Sequence, residues 1–152
     1  MRENIKQTLT KATFEVFEKM FFVFLEPVGN EKVQYDFVSF IDFGGRATGG
    51  LCLMMSRGLA EIMTQNMLGC EHSEITEQML EDCSKEAANM VCGNFLRKTS
   101  EEDVFDLHLP TYATMDQAVR LGLVLTADDD VAVCFESEEE QLQVRLSWKE
   151  VG

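Results

Sequence analysis

The sequence is poor in basic residues and in histidine. Of its 152 residues, 13 are Lys or Arg, 27 are Asp or Glu and 2 are His, so the formal net charge is −14. A field of this sign repels phosphate backbones and anionic lipids, so nucleic acid and membrane surfaces are not expected partners. Acidic runs at residues 101–103, 128–130 and 136–140 are typical of solvated turns.

Metal-binding and disulfide patterns are also missing. The five cysteines, at positions 52, 70, 83, 92 and 134, form no CxxC pair. Cys70 and His72 are two residues apart, but nothing nearby supplies the further ligands that zinc takes. The polar start MRENIKQTLTK does not resemble a secretory signal, so we expect a reducing cytoplasm with free, mostly buried thiols. We expect no metal site and no cofactor of the chain's own.

A long apolar run is absent as well. The most apolar segment, residues 14–28, is interrupted by Glu15, Glu18, Lys19 and Glu26, whereas a membrane helix needs about 20 mainly apolar residues. No membrane span is therefore predicted. With 45% hydrophobic residues, a chain of this length is expected to form a single domain, residues 1–152, around one core.

The patterning predicts an α+β fold with a mostly antiparallel sheet packed against long helices. Pro27 and Gly29 are expected to end a first helix, whose phenylalanines suit a core or a dimer contact. Gly44 and Gly45 predict a hairpin turn, and Gly49 and Gly50 a bulge or a close backbone approach. The predicted helices cover residues 3–25, 57–68 (closed by Gly69) and 74–98; the predicted strands cover 33–43, 51–56, 104–110, 119–125, 131–135 and 142–148.

The long predicted helix carries a line of polar residues and one glycine. At 100° per residue, its apolar face is expected to centre on Met79, Cys83, Ala87 and Met90. Four other residues fall within about 60° of one another at the border of that face: Asp82, Glu86, Asn89 and Gly93.

Glu86 and Asn89 are one helical turn apart and share a face. A carboxylate can pair with a cation, and an amide can orient a water because it both donates and accepts hydrogen bonds. Gly93 would let another surface approach closely. The pattern alone is equally compatible with a solvated helix edge on which Gly93 packs against a crossing element of the same chain.

The chain resembles the CheC/CheX/FliY family of bacterial chemotaxis phosphatases, and its CheX members most. The family signature of an Asp or Ser, three residues, Glu, two residues, Asn, and a proline about twenty residues later corresponds here to Asp82, Glu86, Asn89 and Pro110. The resemblance extends to ANMVCGN (88–94), IDFGGRATGGLCL (41–53), NMLG (66–69) and the strands from residue 119 to 148.

This resemblance implies a CheC-like fold and hydrolysis of the aspartyl phosphate of a CheY-like response regulator. Glu86 would pair with the regulator's active-site lysine, Asn89 would aim the attacking water, and Asp82 and Gly93 would contact the partner. Mg²⁺ would be supplied by the partner's receiver domain. The resemblance also implies a homodimer. A single site is expected in each chain, because Glu15 and Glu18 on the first helix are followed by no matching asparagine.

A second interpretation is a non-catalytic binding or scaffold module of the same fold in a two-component or flagellar-switch assembly. It is favoured if the polar line is covered by another element. A small-ligand sensor is a third and weaker interpretation, because it would need a sizeable pocket.

Overall fold

The computed structural model describes residues 2–29, 34–122 and 131–151. Its helices are α1 (Arg2–Phe21), α2 (Arg57–Leu68), α3 (Glu77–Thr99) and α4 (Met115–Leu121), and a 3₁₀ turn spans His72–Glu74. Its strands are β1 (Glu26–Val28), β2 (Phe37–Gly44), β3 (Ala47–Met55), β4 (Asp106–Leu107), β5 (Thr111–Thr114), β6 (Val131–Ser137) and β7 (Glu140–Glu150).

The described strands form one sheet in the order β1-β6-β7-β3-β2-β4, with β5 also paired to β2. Each pairing is antiparallel. Helices α1, α2 and α3 cover one face of this sheet, and α4 packs on the other face beside β2 and β5. The α+β prediction with an antiparallel sheet against long helices is confirmed. None of the described helices is long and apolar enough to cross a membrane.

The first helix is shorter than predicted. Phe22 adopts a left-handed conformation with φ of 54°, and the Val23 amide donates to the Phe17 carbonyl at 2.9 Å, which ends α1 at Phe21. The chain then enters β1, where Pro27 is tolerated because this strand lies at the sheet edge. The prediction of a helix to residue 25 was therefore wrong.

The segment around Val119 and Leu121 is a helix, although its alternation predicted a strand. Thr114 and Gln117 form a reciprocal capping box that starts α4, and Gly122 ends it in a left-handed conformation. These two helix caps have a stronger effect on local structure than the alternation of two apolar residues that predicted a strand. The predictions for residues 123–125, for Val33 and for the acidic run at 128–130 lie outside the described residues.

The structure confirms the positions of other predicted turns and changes some of their details. Gly69 closes α2 in a left-handed conformation. A Cβ at Gly49 would overlap the Ser147 carbonyl of β7, and the pairing continues without interruption through this position, so the close backbone approach is correct and the bulge is not. The long helix begins at Glu77 rather than at residue 74, because the Thr76 side chain accepts from the Met79 amide at 3.2 Å.

The strand predicted at 104–110 is also shorter. Only Asp106 and Leu107 pair with β2 there, and a separate strand, β5, begins directly after Pro110.

A polar contact joins α1 to α3. The Glu15 carboxylate accepts from Lys98 Nζ at 2.9 Å and from Asn94 Nδ2 at 3.3 Å. The hydrogen bonds from Lys98 and then from Asn94 lower the pKa of Glu15 from its ordinary value, against a smaller opposing effect of desolvation. The lower pKa means that the pair favours the folded state when Glu15 is ionised.

We predict that Glu15→Gln lowers the free energy of unfolding at pH 7 by less than about 1 kcal/mol, because the pair is partly exposed. Its folded pKa is depressed below the ordinary value of 4.5, so the contribution is present above that value and is lost as the pH falls through the folded pKa. The difference between wild type and variant in urea unfolding should be largest at pH 7 and should shrink as the pH falls below 4.5. A difference that is independent of pH, or an equal loss in Glu18→Gln, would contradict this assignment.

Candidate functional site

Helix α3 is held against the sheet by one face. Its buried residues are Leu80, Cys83, Ser84, Ala87, Ala88, Val91, Cys92, Phe95 and Leu96. At 100° per residue, counted from Ile75, these positions centre at roughly 180°. The predicted apolar face is confirmed at Cys83 and Ala87, but Met79 and Met90 are only half-buried, so the centre of the buried face lies further round the helix than predicted.

The predicted polar line consequently lies on the outside of α3. Asp82, Glu86, Asn89 and Gly93 centre at roughly 350° on the same scale, nearly opposite the buried face. Asp82 is exposed, and Glu86, Asn89 and Gly93 are half-buried. The structure keeps all four together on the side of α3 that faces away from its buried residues.

Within the described residues, the side chains of Glu86 and Asn89 have no hydrogen bond or ion pair to the rest of the chain. The neighbouring cation, Lys85, instead pairs with Glu81 at 2.9 Å. Asp82 differs from the other two, because its carboxylate accepts from Gln78 Nε2 at 2.9 Å. Glu86 and Asn89 thus offer an anion and an amide for contacts with another molecule.

Gly93 does not pack against another element. A Cβ at this position would meet no described atom within 4 Å outside its own helical neighbourhood. The interpretation in which Gly93 admits a crossing element of the same chain was therefore wrong. The open space lies at the surface of α3, one turn beyond Asn89.

A groove of about 320 Å³ runs beside Asn89 and Gly93. One wall is α3 and the other is the segment that follows it, residues 100–107. Apolar side chains contribute to its lining, and Arg97 adds a cation. Sequence reasoning missed this groove, although the apolar residues of VFDLHLP (104–110), separated from the end of α3 by four residues, were a signal for it. The remaining lining residues are Met90, Leu96, Ser100, Glu101, Asp103, Phe105 and Leu107.

The cysteines of α3 do not provide a reactive nucleophile. Burial raises the pKa of the Cys92 thiol to about 12, with a smaller effect from the Asp42 charge. Burial also raises the pKa of Cys83, and the charges of Asp82 and Glu86 add to that shift. Both thiols therefore remain protonated near neutral pH, and a thiolate is the form needed for nucleophilic attack.

The sequence analysis also considered a second site on the first helix and a metal site. Glu15, considered for a second site, is engaged by Lys98 and Asn94. Among the described residues, no group of three or more His, Cys, Asp or Glu side chains is arranged to hold a metal ion.

Comparison with known proteins identifies the relatives of this fold. The model of the family described as "Chemotaxis phosphatase CheX" matches residues 37–133, which is 97 of the 152 residues. No curated protein matches the chain.

Three solved structures are similar along nearly the whole chain. The chemotaxis protein CheX from Vibrio vulnificus is 21% identical, with 98% of this chain and 99% of that chain covered and a TM-score of 0.77. A CheC-like superfamily protein from Shewanella sp. PV-4 is 19% identical, with 98% and 99% covered and a TM-score of 0.76. The CheX-CheY-BeF3-Mg²⁺ complex from Borrelia burgdorferi matches at 15% identity, with 95% and 97% covered and a TM-score of 0.71. These likenesses confirm a CheC-like fold.

We predict that Gly93→Ala raises the free energy of unfolding by about 0.5–1 kcal/mol, because alanine is favoured over glycine inside a helix and the added methyl group meets no described atom. Urea unfolding would measure the change. Gly49→Ala is the contrasting variant, since its methyl group would overlap the Ser147 carbonyl. A loss of stability in Gly93→Ala would contradict the open geometry.

Proposed function

Because this chain belongs to the chemotaxis phosphatase CheX family, we propose that it hydrolyses the aspartyl phosphate of a CheY-like response regulator. The observation that carries the proposal is the outward pair of Glu86 and Asn89, one turn apart on α3 and without a partner in the described chain. The complex of a CheX with CheY from Borrelia burgdorferi supports a partner of this class.

In this proposal Glu86 is the docking anchor. Glu86 is partly exposed, and its carboxylate is unpaired within the described residues, so it is available to a cation of the partner. The family resemblance gives that cation as the lysine of the receiver's active site. A charge-assisted hydrogen bond to the lysine would fix the register of α3 on the receiver. Asp82 lies one turn before Glu86 and adds negative charge on the same side.

Asn89 is the residue that positions water. Its amide can accept from the water and donate to a phosphoryl oxygen at the same time. The water oxygen attacks phosphorus in line with the aspartyl oxygen. The bond between that oxygen and phosphorus breaks, and the products are inorganic phosphate and the free carboxylate. Because an acyl phosphate is already labile, orientation of the water is the main contribution required. Mg²⁺ bound by the receiver domain would neutralise charge on the phosphoryl group.

The rigidity of α3 suits this role. An asparagine on a helix packed along one face has its position determined by the core rather than by a mobile loop, which lowers the entropic cost of orienting a water. The open surface at Gly93 provides room for the receiver to approach until the Asn89 amide reaches its phosphorylated aspartate.

The alternative of a non-catalytic scaffold module was favoured if the polar line were covered. Within the described residues, Asp82 is exposed, Glu86, Asn89 and Gly93 are partly exposed, and the space at Gly93 is open, which supports the catalytic proposal. The expected homodimer and cytoplasmic location remain part of the proposal. Strands β1 and β5 lie at the margins of the described sheet, and the side chains of Phe22 and Phe24 are exposed; either feature could contribute to a dimer contact.

We predict that Asn89→Ala lowers the rate of phosphate release from a phosphorylated receiver domain by about 10² or more, because the group that positions the water is lost. The measurement is release of inorganic phosphate from candidate phosphorylated receivers under single-turnover conditions. Asn66→Ala is the matched control, since Asn66 lies on α2 and donates to the Phe22 carbonyl. Turnover by Asn89→Ala equal to that of wild type would disprove the proposed role.

We predict that Glu86→Lys raises the KM for the phosphorylated receiver at least about tenfold, because the substituted ammonium group would face the partner's lysine. The control is Glu139→Lys, which makes the same change in net charge in the exposed turn between β6 and β7. An equal rise in KM for both variants would assign the effect to overall charge and not to Glu86.

A further inference from the structure

We infer that the groove beside Asn89, together with the exposed side chains of Val104 and Leu109, is a second contact area for the same receiver domain and helps to select the receiver. This inference rests on the proposed function. It assigns to residues 100–109, called here the docking wall, a role that the polar line on α3 does not include. The expected occupant is an apolar patch of the receiver next to its phosphorylation site.

The docking wall presents apolar side chains to solvent beside the site. Val104 is 85% exposed and Leu109 is 90% exposed, the two highest values among the large hydrophobic residues of the described chain. Val104 lies between Asp103 and Phe105, which both line the groove, and Leu109 follows two residues after Leu107, which also lines it. Exposed apolar residues that are grouped next to a groove are typical of an interaction surface.

The wall is held in place by contacts from the β2–β3 hairpin. Arg46 Nε lies 2.6 Å from the Asp103 carboxylate. Gly45 has a φ of 139°, and a Cβ there would lie 2.9 Å from the Val104 carbonyl, so only glycine fits this close approach without strain. The exposure of Val104 is thus a property of a braced backbone segment.

Aromatic packing braces the same segment from below. The Phe105 ring lies 6.3 Å from Phe43 and 6.1 Å from Trp148, measured between ring centroids. Trp148 in turn lies 5.7 Å from Phe95 of α3. The wall and the helix that carries Asn89 are therefore joined through one aromatic cluster. This arrangement sets the position of Val104 relative to Asn89.

The size of a protein interface requires contacts beyond the polar line. A specific interface usually buries about 800 Å² on each partner, and four residues along one helix cannot supply that area. The groove begins at Asn89 and Gly93, so a protein that brings a phosphorylated aspartate to Asn89 must cover it. Glu86 and Asn89 would meet invariant chemistry, a lysine and a phosphoryl group. The docking wall would instead meet a surface that can differ between receivers, so it is suited to selecting one receiver over another.

The test is steady-state hydrolysis of one phosphorylated receiver domain by Val104→Ser, Leu109→Ser and the double variant. Each single change should raise KM about 3- to 10-fold and the double change more, while kcat at saturation stays within twofold of wild type. That pattern indicates loss of binding shared by the ground state and the transition state. Val119→Ser is the matched control, because Val119 is also exposed, at 64%, but lies on α4.

Variants of Arg46, a positioning residue, test separately whether its ion pair to Asp103 holds the docking wall in place. Arg46→Ala should raise KM without lowering kcat, because the docking wall loses its ion pair to Asp103. Arg46→Lys, which keeps a cation at this position, should stay closer to wild type.

The outcomes distinguish this inference from the proposed function. If Asn89→Ala lowers turnover while Val104→Ser and Leu109→Ser match wild type, the inference is overturned and the proposed function stands. A fall in kcat with unchanged KM in the wall variants also overturns it. If wild type binds a receiver without hydrolysing its phosphate, fluorescence anisotropy with the same variants decides the inference: a Kd raised at least threefold supports it, and an unchanged Kd overturns it. If wild type neither binds nor dephosphorylates any receiver tested, both proposals fail.

Discussion

The packing of α3 against the sheet is the constraint on which the site depends. Small side chains, including Ser84, Ala88 and Cys92, are buried on the inner face of the helix and allow the helix to lie close to its neighbours. Once that face is buried, the 3.6-residue period places the opposite face away from the core. The outward direction of Glu86 and Asn89 follows directly from this packing. Any change that rotated α3 about its axis would move both residues away from a partner.

The same packing explains how two polar groups can form half of a reactive centre at little cost to stability. On the surface of α3 their unpaired atoms can be solvated by water, so neither group carries the cost of a fully buried polar atom without a hydrogen bond. Their relative position is set by the helix backbone, while the aromatic cluster of Phe43, Phe105 and Trp148 sets the neighbouring wall. The protein thus contributes a rigid, shaped surface, and the labile bond and the charge-neutralising groups belong to the partner.

Local signals in the sequence predicted some elements well and others poorly. The bounds of α2 and its closure at Gly69 were predicted correctly, because a left-handed glycine cap acts within one turn. The alternation of Val119 and Leu121 was misleading, because the capping box of Thr114 and Gln117 starts a helix there. The apolar face of α3 was predicted correctly at Cys83 and Ala87, but its centre was displaced because Met79 and Met90 were included and the buried Ser84, Ala88 and Cys92 were not. Hydrophobicity alone does not reveal where a helix approaches its neighbours most closely.

The sequence by itself determined the α+β class, the helical spacing of Asp82, Glu86, Asn89 and Gly93, and the family resemblance, because these depend on periodicity and on the order of residues. The tertiary structure decided which way that line faces, since the direction depends on how α3 packs against α1, α2 and the sheet. It also decided that a groove lies beside the line. Arg46 contacts both Asp103, which lines the groove, and Trp148. These residues are distant in sequence, and a local sequence pattern does not show which distant segments a fold will bring together.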